Sequence, residues 1–176
     1  MYQPEFNSVK FRELALFIAD KSRNDDWFGA VKLNKILYYC DFKAFAWLEK
    51  PITDATYIRL REGPAPRELL PERHVWEDGG YATIESRRIF TFFQQRLVPT
   101  SSDIGLGKSF NNEERRLVDY VLNWTRDMTG KEITELSHGE VGWAMADDKE
   151  VIPYETAFLV SLHDHDAWAI AGHANG

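Results

Sequence analysis

The stretch Phe28-Gly29-Ala30-Val31-Lys32-Leu33-Asn34-Lys35-Ile36-Leu37-Tyr38-Tyr39-Cys40-Asp41-Phe42-Lys43-Ala44-Phe45-Ala46-Trp47-Leu48-Glu49 decides the fold. Leu33, Ile36, Leu37, Cys40, Ala44, Trp47 and Leu48 recur at helical spacing. Tyr38, Tyr39, Phe42 and Phe45 carry the apolar surface around the other side. A helix apolar nearly all round is a buried one, so the spacing predicts a central helix from about Phe28 to Glu49, stopped by Pro51. Lys32 and Lys35 interrupt it as neighbours on one side. Either their stems pack while the ammonium groups reach water, or they make a polar contact with a partner or with the turn at Gly63-Pro64.

Working outward, Phe11, Leu14, Ala15, Phe17 and Ile18 predict a helix between Phe6 and Ser22, capped by Asn7 or Ser8. A polar break, Ser22 to Asp26, separates it from the central helix. On the far side, Tyr57, Ile58 and Leu60 predict a short strand. Gly63-Pro64-Ala65-Pro66 predicts a turn that opens a short helix from Arg67 to about Trp76. Tyr81 to Glu85 and Ile89 to Val98 predict a β-hairpin around Ser86-Arg87-Arg88. Pro99 to Ser109 is a polar connection. Asn111 before Glu114, Thr129 before Glu132 and Ser137 before Glu140 then predict three short capped helices. Ala157 to Val160 is apolar and fits either helix or strand. The expected fold class is α+β and predominantly helical, a compact helical bundle with a short β-sheet or hairpin. One domain is expected over residues 1–176, with 160–176 a peripheral tail.

The chain has 176 residues, 44% of them hydrophobic and 28% charged, enough to bury a sizeable core without metal or disulfide. Twenty-eight acidic against 21 basic residues give a net charge of -7, which argues against a nucleic-acid partner and suits a partner with a basic face. The single cysteine, Cys40, excludes a disulfide framework and a multi-cysteine zinc site, and fits a reducing compartment. No apolar run reaches a membrane span, and Met1-Tyr2-Gln3-Pro4-Glu5 does not open a signal peptide. A cytoplasmic protein is expected.

Sites of chemistry are sparse. His163-Asp164-His165-Asp166 could offer two ligands from a strand, fewer than a transition metal wants. Cys40 lies in the most apolar helix and reads as core rather than nucleophile. Gly105-Leu106-Gly107-Lys108-Ser109 lacks the first glycine of a phosphate loop. No catalytic residues, metal or cofactor are assigned, and no enzymatic activity is expected. Arg59, Arg61, Arg67, Arg73, Arg87 and Arg88 could form a basic face, but Glu62, Glu68 and Glu72 interleave with them. His138, read as lying at a helix N-terminus, is expected to bond to local backbone or to serve binding.

Three separated segments resemble one family. Lys32-Leu33-Asn34-Lys35-Ile36-Leu37-Tyr38-Tyr39 is similar to the Lys-Leu-Gln-Lys-Leu-Leu-Tyr-Tyr signature of the Panacea domain, also called the SocA-like or GepA-like domain. Glu62-Gly63-Pro64-Ala65-Pro66, with Leu69, resembles its Tyr-Gly-Pro-Val-Pro turn. Glu135-Leu136-Ser137-His138, with Trp143 five residues after the His, resembles its Leu-Ser/Thr-His and Trp segment. The resemblance spans about Val9 to Leu159. Asn34, Glu62, Ala65 and Gly142 depart from the pattern.

The resemblance implies an antitoxin of a toxin–antitoxin pair, often on a mobile element. Such a protein neutralises a cognate toxin, encoded nearby, by direct protein binding. One branch of the family instead acts as an adaptor that hands its toxin to a protease. A DNA-binding regulator with the hairpin as a wing is the alternative read from the residues themselves. A protease and a second copy of the chain stay open as further partners. The expected contact surface is Arg59, Arg61, Arg67, Arg87, Arg88, Phe90 and Phe92, although Phe90, Phe92 and Phe93 could equally pack the hairpin onto the helices. The motif positions Lys32, Leu33, Lys35, Tyr38, Tyr39, Gly63, Pro64, Ser137, His138 and Trp143 are expected to hold the scaffold. In that scaffold the Tyr38-Tyr39 pair lies against the Gly63-Pro64 turn.

Overall fold

A computed structural model describes residues 1–101, 104–107 and 109–159. Helix α1 runs Ser8–Lys21 and α2 Ala30–Leu48. Strands β1 (Tyr57–Leu60) and β2 (Gly63–Pro66) follow, then α3 (Leu69–Asp78) and the hairpin of β3 (Ala82–Ile89) and β4 (Phe92–Pro99). Helices α4 (Asn112–Thr125), α5 (Gly130–His138) and α6 (Val141–Met145) lead to a 3₁₀ helix, Tyr154–Leu159. The fold is α+β and predominantly helical, with two small antiparallel hairpins.

Helix α2 is the hub. It packs against α1, α4, α5, β2, β4 and the 3₁₀ helix, and every residue from Lys35 to Phe45 is buried. Cys40 is among them, its thiol pushed up chiefly by burial, as a core residue requires. Tyr38 packs on Phe42 and on Tyr57 of β1, whereas Tyr39 packs on Trp124 of α4. Adjacent helical positions lie about 100° apart, so the two tyrosines, whose rings also meet edge to face at 5.3 Å, reach different neighbours.

The Gly63–Pro66 segment is a strand rather than the expected turn. Tyr57 pairs with Pro66 and Leu60 with Gly63, which places the turn at Arg61-Glu62. Arg67 N–H donates to Thr56 O at 2.8 Å. By the alternation of an antiparallel ladder, Pro64 and Pro66 then occupy positions whose missing N–H would face away from β1. The other edge of β1 is covered too: Arg59 N–H donates to Glu150 O and Ile152 N–H to Tyr57 O, both at 2.9 Å.

The second hairpin turns at Phe90-Thr91, not at Ser86-Arg87-Arg88. Ile89 opposes Phe92 and Arg88 opposes Phe93. Phe90 takes a left-handed φ of 51° at the tip, and two-residue hairpin loops commonly need such a conformation. The sequence hid it because phenylalanine is a strand former and arginine is not. Of the three expected capping boxes, those at Asn111 and Thr129 form in both directions. The third does not, because α5 runs on through Ser137 and His138. The Ser137 hydroxyl donates back to Thr134 O at 2.8 Å. His138 therefore closes a helix C-terminus rather than opening an N-terminus. The His163–Asp166 stretch and the rest of residues 160–176 lie outside the described residues, as does Lys108.

Asp41 ties α2 to β1 from inside the core. It accepts from Thr53 N–H at 2.7 Å, Thr53 Oγ1 at 2.5 Å and Tyr57 OH at 2.8 Å. Burial pushes its carboxyl up from 3.8 to about 6, against the pull of the Thr53 and Tyr57 hydrogen bonds. Between those two values the folded chain keeps a proton that the unfolded chain has released. Its stabilising effect is full below that window and falls as pH rises through it. Relative to Asp41→Asn, whose amide does not titrate, the wild type is expected to lose roughly 2 kcal/mol of unfolding free energy from about pH 4 to about pH 7. Urea unfolding of both chains checks this; parallel pH profiles would contradict it.

Candidate functional site

A groove of about 970 Å³ opens where three elements meet the first turns of α2. Trp27 and Gly29 to Lys32 form one side, β4 from Phe92 to Gln95 another, and α5 with Glu62 the third. Phe92 is 50% exposed, Phe93 69% and Phe90, at the hairpin tip, 80%. The hairpin aromatics are therefore not spent on packing against the helices.

The groove is held by cations beneath it. Lys32 is 1% exposed and its ammonium donates to Asp25 Oδ2 (2.6 Å), Met128 O (2.7 Å) and Arg126 O (3.0 Å). This ties the start of α2 to the loop before it and to the α4–α5 connection. Arg96, buried on β4, donates to Asp25 O at 3.0 Å and to Ser22 O at 3.2 Å. The polar break at Ser22 to Asp26 is thereby a fixed loop that presents Trp27. Gly29 lets β4 close in, since a Cβ there would lie 2.3 Å from Gln94 Cγ.

Lys35, one turn along, behaves differently. It too is 1% exposed, yet no described oxygen accepts a hydrogen bond from its ammonium. Its stem lies against Gly63 of β2 and Ser137 of α5: a Cβ on Gly63 would meet Lys35 Cε and Ser137 Oγ, each at 2.5 Å. Gly63 also holds a φ of +102°, so the position excludes other residues on two counts. Burial lowers the Lys35 amine to about 8, and the Glu62 carboxylate opposes that shift. The contact between Lys35 and the Gly63-Pro64 segment is the one the sequence offered as the alternative to snorkelling.

His138 and Trp143 stack with ring centroids 4.0 Å apart and planes 10° from parallel. Trp143 Nε1–H donates to Leu60 O at 2.9 Å, and Arg59 lies 4.5 Å above the Trp143 ring while its Nε–H donates to Trp143 O at 3.1 Å. The expected backbone bond of His138 is not formed: Nε2 is buried without a partner. Gly142, standing where the family pattern has proline, abuts the 3₁₀ helix, and a Cβ there would lie 2.3 Å from Thr156 Oγ1.

The surface residues expected to bind a partner do not form one patch. Phe92 lines the groove and Phe90 stands at the adjoining tip. Arg61 is exposed on the turn beside Glu62, while Arg67 is exposed at the opposite end of the same hairpin. Arg59 is committed to Trp143. Arg87 and Arg88 lie within β3, Arg87 paired with Asp26 at 2.9 Å and Arg88 Nε–H donating to Phe90 O at 3.2 Å. A wing tipped by two free arginines is therefore not what this hairpin provides. Sequence reasoning missed Trp27, Val31 and the first turns of α5 as groove residues. The available signal was an aromatic closing an otherwise polar break. Among the described residues no three His, Cys, Asp or Glu side chains gather as a metal site, and no helix is long and apolar enough to cross a membrane.

A family model described as the antitoxin SocA-like, Panacea domain matches residues 33–144, over half of the chain, and the chain belongs to that family. No curated protein and no solved structure matches it.

The two motif lysines should answer oppositely to the same substitution. Lys32→Met leaves the half-buried Asp25 carboxylate and two carbonyls without their donor and is expected to cost on the order of 3 kcal/mol. Lys35→Met replaces an unpartnered amine by an apolar isostere and is expected to be neutral or stabilising by about 1–3 kcal/mol at neutral pH. For Lys35 the folded pKa is the lower one, so its penalty is full below about 8 and relieved as pH rises towards 10.5. Urea unfolding of the two variants at neutral and alkaline pH checks both statements. Equal losses would contradict them.

Proposed function

We propose that the chain is an antitoxin that neutralises a cognate protein toxin by direct binding, seating part of that toxin against the groove. The observation that carries this reading is the exposed aromatic wall, Trp27, Phe92 and Phe93, on an otherwise well-packed domain of an antitoxin family. Aromatic side chains on rigid elements contribute most to protein interfaces. Completing the burial of each half-exposed ring is worth on the order of 1 kcal/mol. The net charge of -7 favours a toxin with a basic face, as expected where the toxin's own target is a polyanion, and speeds their encounter. Neutralisation is then steric and electrostatic occlusion. Delivery to a protease would use the same contact and add a second one.

The test starts with the adjacent gene. Its product, induced alone, should arrest growth, and co-expression of this chain should restore growth and allow the two proteins to be purified together. Phe92→Asp with Phe93→Asp should abolish both rescue and co-purification while leaving the melting temperature of the isolated chain within a few degrees, because both rings face solvent. A harmless neighbour, or rescue undiminished by the double substitution, would sink the reading.

A further inference from the structure

The β3–β4 hairpin is a sheet of two strands, so each strand keeps one edge with no strand beside it. The register decides which backbone groups point out of those edges. Thr100 N–H donates to Tyr81 O at 3.1 Å, just beyond the last pair of the ladder. Counting by twos from that bonded pair, Thr83–Val98, Glu85–Arg96, Arg87–Gln94 and Ile89–Phe92 exchange the hydrogen bonds. The N–H and C=O groups of Phe93, Gln95 and Leu97 therefore point away from β3. Pro99, which has no N–H to give, falls in the same outward set. On β3 the outward Ile84 N–H is taken by Glu77 Oε1 of α3 at 3.3 Å. On β4 Leu97 is buried. Phe93 and Gln95 are exposed, and among the described residues nothing bonds to their backbone N–H or C=O.

The groove runs along that open edge. Four consecutive residues, Phe92 to Gln95, line it. Their side chains alternate between the two faces of the hairpin, so what they share is the edge. The face of Phe92 and Gln94 is turned toward the start of α2, where Gln94 Cγ approaches Gly29 and Gln94 Nε2–H donates to Asp26 O at 3.4 Å. Nor is the edge guarded. Ile89-Phe90-Thr91-Phe92-Phe93-Gln94-Gln95 holds no charge and no proline, whereas native edges are blunted by a lysine, a proline or a covering element.

We propose that this edge is a strand-addition site: an extended segment of the partner, apolar on one side and carrying lysine or arginine, lies in the groove and hydrogen-bonds to the backbone of Phe93 and Gln95. The inference rests on the groove being the partner-binding surface and says how the partner is held there. Alternate side chains of an added strand fall on the α2 side, where Trp27 and Val31 are part of the groove wall and partly exposed. Charge selects the rest. Lys32 is buried against Asp25, which leaves the exposed Glu62 and Glu135 of the groove against Lys131. With a net charge of -7 on the chain, a basic segment is drawn in and a second copy of the chain is repelled.

Two measurements test this, one with a probe and one with the partner. The probe is Ac-Lys-Val-Thr-Val-Thr-Val-Lys-amide, added to the full chain and followed by NMR. It should bind with a Kd of about 1 mM or lower and slow the hydrogen exchange of the Phe93 and Gln95 amides. Methylating both threonine nitrogens and methylating two valine nitrogens block opposite edges of the peptide. One isomer should lose about tenfold or more in affinity and the other less than about threefold. Replacing both lysines of the probe by glutamate should weaken it by about threefold or more. Gln95→Pro removes one outward N–H and no ladder bond, so it should weaken the probe about tenfold, while Gln95→Val should not. The exchange and methylation readouts use the wild-type chain and need neither variant to fold. No binding at about 10 mM, equal affinity of the two methylated isomers, or unchanged exchange at Phe93 and Gln95 overturns strand addition. Equal binding of the lysine and glutamate probes, or a dimer of the free chain that Gln95→Pro disperses, overturns the choice of occupant. In the complex with the product of the adjacent gene the same two amides should be protected. If growth is rescued and that complex forms with both unprotected, strand addition fails and the antitoxin reading stands. If the probe pairs as described but the neighbour is harmless, the antitoxin reading fails and the strand-addition site stands.

Discussion

Eleven consecutive buried residues of α2, Lys35 to Phe45, leave almost no water on any side of the helix. Every polar side chain on it must find its partner inside the protein or carry the cost of having none. Asp41 finds three donors on Thr53 and Tyr57 and so fixes where the chain turns back into β1. Lys32 finds three acceptors and fixes both the loop before α2 and the connection from α4 to α5. Lys43 lies over Trp47 and Trp124, spending its charge on aromatic faces. The placement of the surrounding elements follows largely from these few bonds, because each helix or hairpin that touches α2 must arrive with the complementary group.

This explains which parts of the structure could be read in the residues and which could not. A helix enclosed on all sides has a local signature, an apolar run too long and too even for a surface helix, and α2 follows from it to within about two residues. The capping boxes at Asn111 and Thr129 are likewise local. The strand Gly63–Pro66 is not: two prolines read as a turn until the partner strand shows which N–H positions are needed. Phe90 reads as strand because its left-handed backbone is a property of the hairpin, not of the side chain. Ser137 has the form of an N-cap, but α5 packs on α2 and β2 through that turn and continues past it.

The groove was harder still. Phe92 could be picked from composition, yet its neighbours come from residues 27–32 and 129–138, distant in sequence and unremarkable one at a time. What joins them is the pair of buried cations: Lys32 reaches from α2 to the residues before α5, and Arg96 reaches from β4 to the loop that ends at Trp27. Neither bond leaves a trace in periodicity. Lys32 looked like one half of a snorkelling pair, and Arg96 like one more charge on a hairpin.

The same two cations bear on how such a domain can meet a partner. A binding surface assembled from three elements loses affinity if those elements must be ordered on contact. Here the loop, the helix start and β4 are already clamped, so Trp27, Val31 and the aromatic positions of β4 are presented in place. The clamp lies below the surface and the exposed aromatic side chains lie above it. Phe90, Phe92 and Phe93 at the end of the hairpin touch solvent, so exchanging them reshapes the groove wall without disturbing α2 or its internal partners. Lys35 sits on the wrong side of that division. It is as deep as Lys32, yet it clamps nothing.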